Sequence, residues 1–215
     1  RALPGGGLRP GTLVEWIGQE GGSVLALQAA RQALAFFPRR RAVVVQLKTA
    51  TWQLSPLATT AWGLPLQEVA WVHVDSRSDL FWTVDQALRS SAVAAVLWWP
   101  DAAVGESSRE GGSVDCRRSE RRSSDRVLRR WQLAAEGSGA LGLMVRRAAA
   151  FSEPSWADVR WRVHAWQCDE LRAETEPRWQ FDVELFCQAR VDGAPRVRGE
   201  LAAEMAETKF SRVGR

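Results

Sequence analysis

The chain has 215 residues, 46% of them hydrophobic, with three cysteines and a formal net charge of +4. That length supports one sizeable core and excludes a peptide-sized scaffold that would depend on disulfides or metal. Only Lys48 and Lys209 are lysines, so the positive charge is almost all guanidinium. Such groups suit bidentate contacts to phosphate or carboxylate, which permits nucleic-acid binding without requiring it.

Cys116, Cys168 and Cys187 are widely spaced, with no C-x-x-C and no nearby histidine pair. Neither a disulfide framework nor a metal site is predicted. No apolar run approaches the roughly 18 residues that would span a bilayer, and no charged-then-apolar leader is read at the amino end. The reading is a cytoplasmic protein without a membrane partner. The chain begins at Arg1 rather than Met, which leaves room for residues upstream.

In chain order, "LPGGGLRPG" is glycine and proline punctuation ahead of "TLVEWIG", an apolar strand. "SVLALQAARQALAFF", Ser23 to Phe37, places apolar residues at helical spacing. A second strand is predicted over Ala42 to Leu47, with Arg39, Arg40 and Arg41 in solvent beside it. A short helix follows, closed near Gly63, and Ala70 to Asp75 alternates as a strand. "SDLFWTVDQALRSS" then reads as a helix capped by Ser78, and "AVAAVLWWP" as a central strand ended by Pro100.

Residues Gly105 to Asp125 carry Gly, Ser and Arg with almost no apolar content, and predict a mobile arginine-rich loop. "RVLRRWQLAAEGSGA" resumes as a helix with a glycine-type ending, before the strand "LGLMVR". "DVRWRVHAWQC" and "RWQFDVELFCQARV" alternate as antiparallel strands, and "GELAAEMAETKFSRVGR" reads as a loose or short helical tail. The sum is an α/β fold with a mainly parallel central sheet flanked by helices and antiparallel strands toward the C-terminus. The core spans 1–190 and the tail 191–215.

Two strings carry a resemblance. "LPGGGLRPGTLVEWIGQEGGSVLALQAA" resembles the glycine-rich lead-in, first strand and phosphate loop of the RecA-type ATPase core. "DQALRSSAVAAVLWWPDAA" resembles the helix and strand of its second nucleotide motif. With "RVLRRWQLAAEGSGALGLMVRR", the chain from Leu3 to Arg147 looks most like the RecA-like ImuA family, accessory proteins of the bacterial damage-induced mutagenesis cassette. That resemblance implies a RecA-like P-loop-type core and a part in SOS-induced translesion DNA synthesis. It also implies partners: a Y-family polymerase homologue, an alternative replicative polymerase, RecA, and DNA.

The catalytic residues do not carry over. A phosphate loop needs backbone N–H groups around the phosphates, a lysine on their oxygens and a hydroxyl on magnesium. "GQEGGS" is too short for G-x-x-x-x-G-K-S/T; Gly18, Gly21, Gly22 and Ser23 form a degenerate turn without a lysine, with Ser23 at the hydroxyl position. Trp99 stands where the family's ATPases keep a magnesium-binding aspartate, with Asp101 two residues later. Lys48 follows the second strand, where the water-activating glutamate is missing. Phosphoryl transfer is almost wholly positioning and electrostatics, so these losses imply no hydrolysis, no catalytic residues and no ATP or other cofactor.

The resemblance to a fold whose following loop faces DNA makes Arg117, Arg118, Arg121 and Arg122 candidate phosphate contacts. Five acids in the same stretch weaken that field; a solvated linker is the competing reading. The twelve tryptophans are assigned mostly to the core, any exposed ones to a protein interface. His73 and His164 are isolated, and no nucleophile accompanies them. Two other functions remain open here: a RecA-paralogue ATPase of DNA repair, and a SulA-like inhibitor of cell division.

Overall fold

A computed structural model describes residues 7–18, 20–51, 53–100, 114–167, 178–186, 196–202 and 209–212. The first strand, β1 (Leu13–Ile17), is buried along its whole length. It leads into α1 (Gly22–Phe36), followed by β2 (Arg41–Leu47), α2 (Pro56–Ala61) and β3 (Val69–Val74). Then come α3 (Arg77–Arg89), β4 (Val93–Trp98), α4 (Val114–Ser138) and β5 (Leu141–Arg146). The C-terminal strands are β6 (Val159–Gln167), β7 (Arg178–Phe186), β8 (Arg196–Ala202) and β9 (Lys209–Arg212).

One sheet holds all nine strands in the order β3-β2-β4-β5-β1-β6-β7-β8-β9. From β3 to β6 every pairing is parallel; from β6 to β9 every pairing is antiparallel. The parallel half explains the uninterrupted apolar runs of β1, β2 and β4, since a strand between helical layers has no wet face. On one face α1 packs Leu25, Ala26, Ala30 and Leu34 against Val14, Val44, Leu97 and Leu143. On the other, α3 and α4 pack Leu80, Val84, Leu128 and Trp131 against Leu13, Val45, Val96 and Trp98.

Four expectations are corrected. The N-cap of α3 is Ser76, not Ser78: Ser76 Oγ accepts the Asp79 N–H at 3.1 Å. Ser76 has the extended backbone a cap needs. Arg40 is not simply solvated; its guanidinium donates to the Ser138 carbonyl at 3.1 Å and lies over the Phe37 ring at 4.2 Å.

The stretch 105–125 was expected as a loop. Residues 101–113 lie outside the described ones, but 114–125 form the first half of α4. The polar composition misled, because arginine and glutamate are good helix formers and no Gly or Pro interrupts 114–136. The buried stripe of Leu128, Trp131, Ala134 and Ala135 anchors the second half. Gly139, with φ at 77°, ends the helix and donates its N–H to Ala135. The C-terminal stretch read as a loose or helical tail instead supplies β8 and β9, which extend the same sheet past residue 190. Backbone pairing to β7 overrides the helix-favouring Ala and Glu content there.

Candidate functional site

β1 leaves the sheet into α1 on one face, while β5, its parallel neighbour, leaves into residues 147–158 on the other. Such divergence opens a crevice at the strands' carboxyl ends, where open α/β sheets bind ligands. Gly18, Gly21, Gly22 and Ser23 all lie at that point.

Among the described residues, the glycine turn is closely packed by its neighbours. The Gly18 N–H donates to the Arg146 carbonyl at 3.1 Å, which continues the β1–β5 ladder into the turn. A Cβ at Gly18 would sit 2.2 Å from the Val163 carbonyl oxygen, so β6, the sheet neighbour of β1, runs close beside the start of the turn. Gly21 caps α1 with φ at 80° and no side-chain cap bond. A Cβ there would fall 2.6 Å from the Ala165 Cβ and 2.8 Å from the Phe181 ring. Glycine is needed here for its left-handed backbone and for the close approach of β6 and β7.

Ser23 lies in the first turn of α1, and its Oγ accepts a hydrogen bond from Trp99 Nε1 at 3.0 Å. Trp99 follows β4 and is 4% exposed. The hydroxyl expected to face magnesium is thus occupied by the indole standing where the magnesium-binding acid is missing. Two sequence positions singled out separately meet at one point.

No family model matches the chain, and no curated protein does.

The remaining candidates are dispersed. Lys48, just beyond β2, pairs with Asp75 at the end of β3 at 2.8 Å, with both side chains exposed. That is a surface ion pair of little consequence for stability. Asp101 lies outside the described residues. Arg117, Arg118, Arg121 and Arg122 belong to the first half of α4, and their side chains are not among those described. His73 and His164 are exposed. Among the described residues no group of three or more His, Cys, Asp or Glu could hold a metal ion, and no helix is long and apolar enough to cross a membrane.

Sequence reasoning missed a buried ionic cluster on the opposite face. Glu15 in β1 is fully buried and accepts from Arg160 Nε at 2.6 Å and Ser155 Oγ at 2.8 Å. Arg160 also donates to the Ala150 carbonyl at 2.9 Å, and Arg146 lies 3.8 Å from Glu15 while pairing with Glu153 at 2.8 Å. Two acids and two arginines balance, and the hydrogen bonds satisfy the carboxylate as burial demands. The signal was present in "LVEWI", an acid in a strand otherwise apolar on both faces.

Proposed function

We propose that the chain is a non-hydrolysing RecA-like accessory protein of SOS-induced, error-prone translesion DNA synthesis. It works in the cytoplasm as a scaffold for protein partners and DNA, and is not an enzyme. The observation that carries this reading is the hydrogen bond from Trp99 to Ser23. Positions that resemble the hydroxyl and acid of a magnesium site bond to each other, and the turn between β1 and α1 is packed by Val163, Ala165 and Phe181. Catalysis of phosphoryl transfer needs an open, charged and water-excluding cradle. A turn so filled supports descent from a nucleotide-binding core whose remaining use is its surface.

The proposed partners are the Y-family polymerase homologue and the alternative replicative polymerase of the mutagenesis cassette, together with RecA. Arg117, Arg118, Arg121 and Arg122 are the proposed phosphate contacts, giving weak, salt-sensitive, sequence-independent affinity for DNA. Co-purification of the tagged chain with each polymerase subunit tests the role. Retention of at least one is expected, whereas failure to retain either would overturn the assignment to this cassette.

A further inference from the structure

The face carrying α3 and α4 holds three of the six large apolar side chains exposed among the described residues, both exposed tryptophans included. Trp82 on α3 is 64% exposed, Leu133 on α4 is 50% exposed, and Trp156 beyond β5 is 42% exposed. Scattered apolar residues on a surface need no explanation. These three belong to adjoining pieces of one face. Phe81, next to Trp82, meets Trp131 of α4 edge-on at 5.3 Å, and Trp131 Nε1 donates to the Phe81 carbonyl. On the other side of α4, Gln132 donates to Asp158 at 3.1 Å, and the Arg129 guanidinium lies over the Trp156 ring at 4.7 Å. Trp156 thus lies against α4, Trp82 is exposed on the helix packed beside it, and the outer face of α4 carries the exposed Arg126, Arg129 and Leu133.

We infer that this face docks an acidic, amphipathic segment of a protein partner, with Trp82, Leu133 and Trp156 receiving its apolar side chains and Arg126 and Arg129 its carboxylates. The inference rests on the scaffold reading above and names the face and the partner's chemistry. In the described half of α4, Arg126, Arg129 and Arg130 are exposed against one acid, Glu136, so the charge complement of the face is negative. Tryptophan and arginine are the residues that most often anchor interfaces. Nucleic acid fits less well. Asp85 already engages Arg89 at 3.0 Å and Arg130 at 2.9 Å, and Asp158 stands beside Gln132. Arg130 is thereby held by an acid of the protein itself, and Leu133, on the outer face, offers an apolar contact to a side chain rather than a ring to a base.

Fluorescence anisotropy of a labelled synthetic helix, glutamate on one face and leucine at helical spacing on the other, titrated with the full chain, tests this. Saturable binding that weakens with salt is expected. Trp156→Ala and Arg129→Glu should each weaken it roughly tenfold or more, the scale of an interface anchor. Lys48→Glu, with the same change of charge outside this face, should not. Both altered side chains of the face are exposed, and an unchanged melting temperature verifies folding. Absence of saturable binding, equal binding by the variants, or tighter binding of a labelled oligothymidylate that Trp156→Ala likewise weakens would overturn the proposal. Peptide binding without polymerase capture would remove only the cassette assignment. Polymerase capture untouched by Trp156→Ala would remove only this docking face.

Discussion

Ser23 and Trp99 stand 76 residues apart in sequence and meet through one hydrogen bond at the mouth of the sheet. Ser23→Ala removes the acceptor of the Trp99 indole N–H, and a loss of about 1 kcal/mol in urea unfolding is expected. A change below a few tenths would mean that the bond contributes nothing in solution. Gly21 and Gly137 make an opposed pair. Gly21→Ala forces a left-handed residue into contact with Ala165 and Phe181, and should cost more than about 1 kcal/mol. Gly137→Ala, inside α4 with nothing within 4 Å of the new methyl, should stabilise by about 0.5–1 kcal/mol. Equal effects would contradict the two backbone assignments. The glycine turn was legible because glycine signals backbone conformation directly. The packing around it was not, since nothing in "GQEGGS" states that Ala165 and Phe181 arrive there.

At the scale of elements, β1 and β6 are joined by the pair Glu15 and Arg160 as well as by their ladder. Arg160→Met removes the nearest charge partner of the buried Glu15, which keeps Ser155 and the more distant Arg146, and a loss of about 3 kcal/mol is expected by chemical denaturation. Glu15→Met with Arg160→Met should recover much of it, because Arg146 keeps Glu153 as its partner. No recovery in the double variant would show that the arginine acts by packing rather than by charge. Helix α4 offers a second test. Ser123→Pro lies in the half expected to be a loop from its composition, and a helix there should lose about 3 kcal/mol. Unchanged stability would return that half to loop. Periodicity found the half of α4 that buries Leu128 and Trp131, because burial against the sheet imposes spacing. It was blind to 114–125, where Val114 and Cys116 are the sole apolar residues and record no helical turn. β8 and β9 escaped for another reason: they pair with their neighbours in the chain, yet their local composition favours helix.

For the whole molecule, the alternation of strand and helix sufficed to foresee a mainly parallel sheet between two helical layers. The strand order was beyond it. That order places β1 beside β5 and makes their divergence the natural ligand crevice. The proposed scaffold depends on the glycine turn there being closely packed by its own neighbours. Isothermal titration calorimetry of the full chain with Mg-ATP tests this most directly, followed by phosphate release with and without DNA. The expected result is no saturable heat up to about 1 mM nucleotide and no DNA-stimulated turnover. Binding at about 10 μM or tighter, accompanied by DNA-stimulated hydrolysis, would contradict a closed turn and restore an ATPase to this fold.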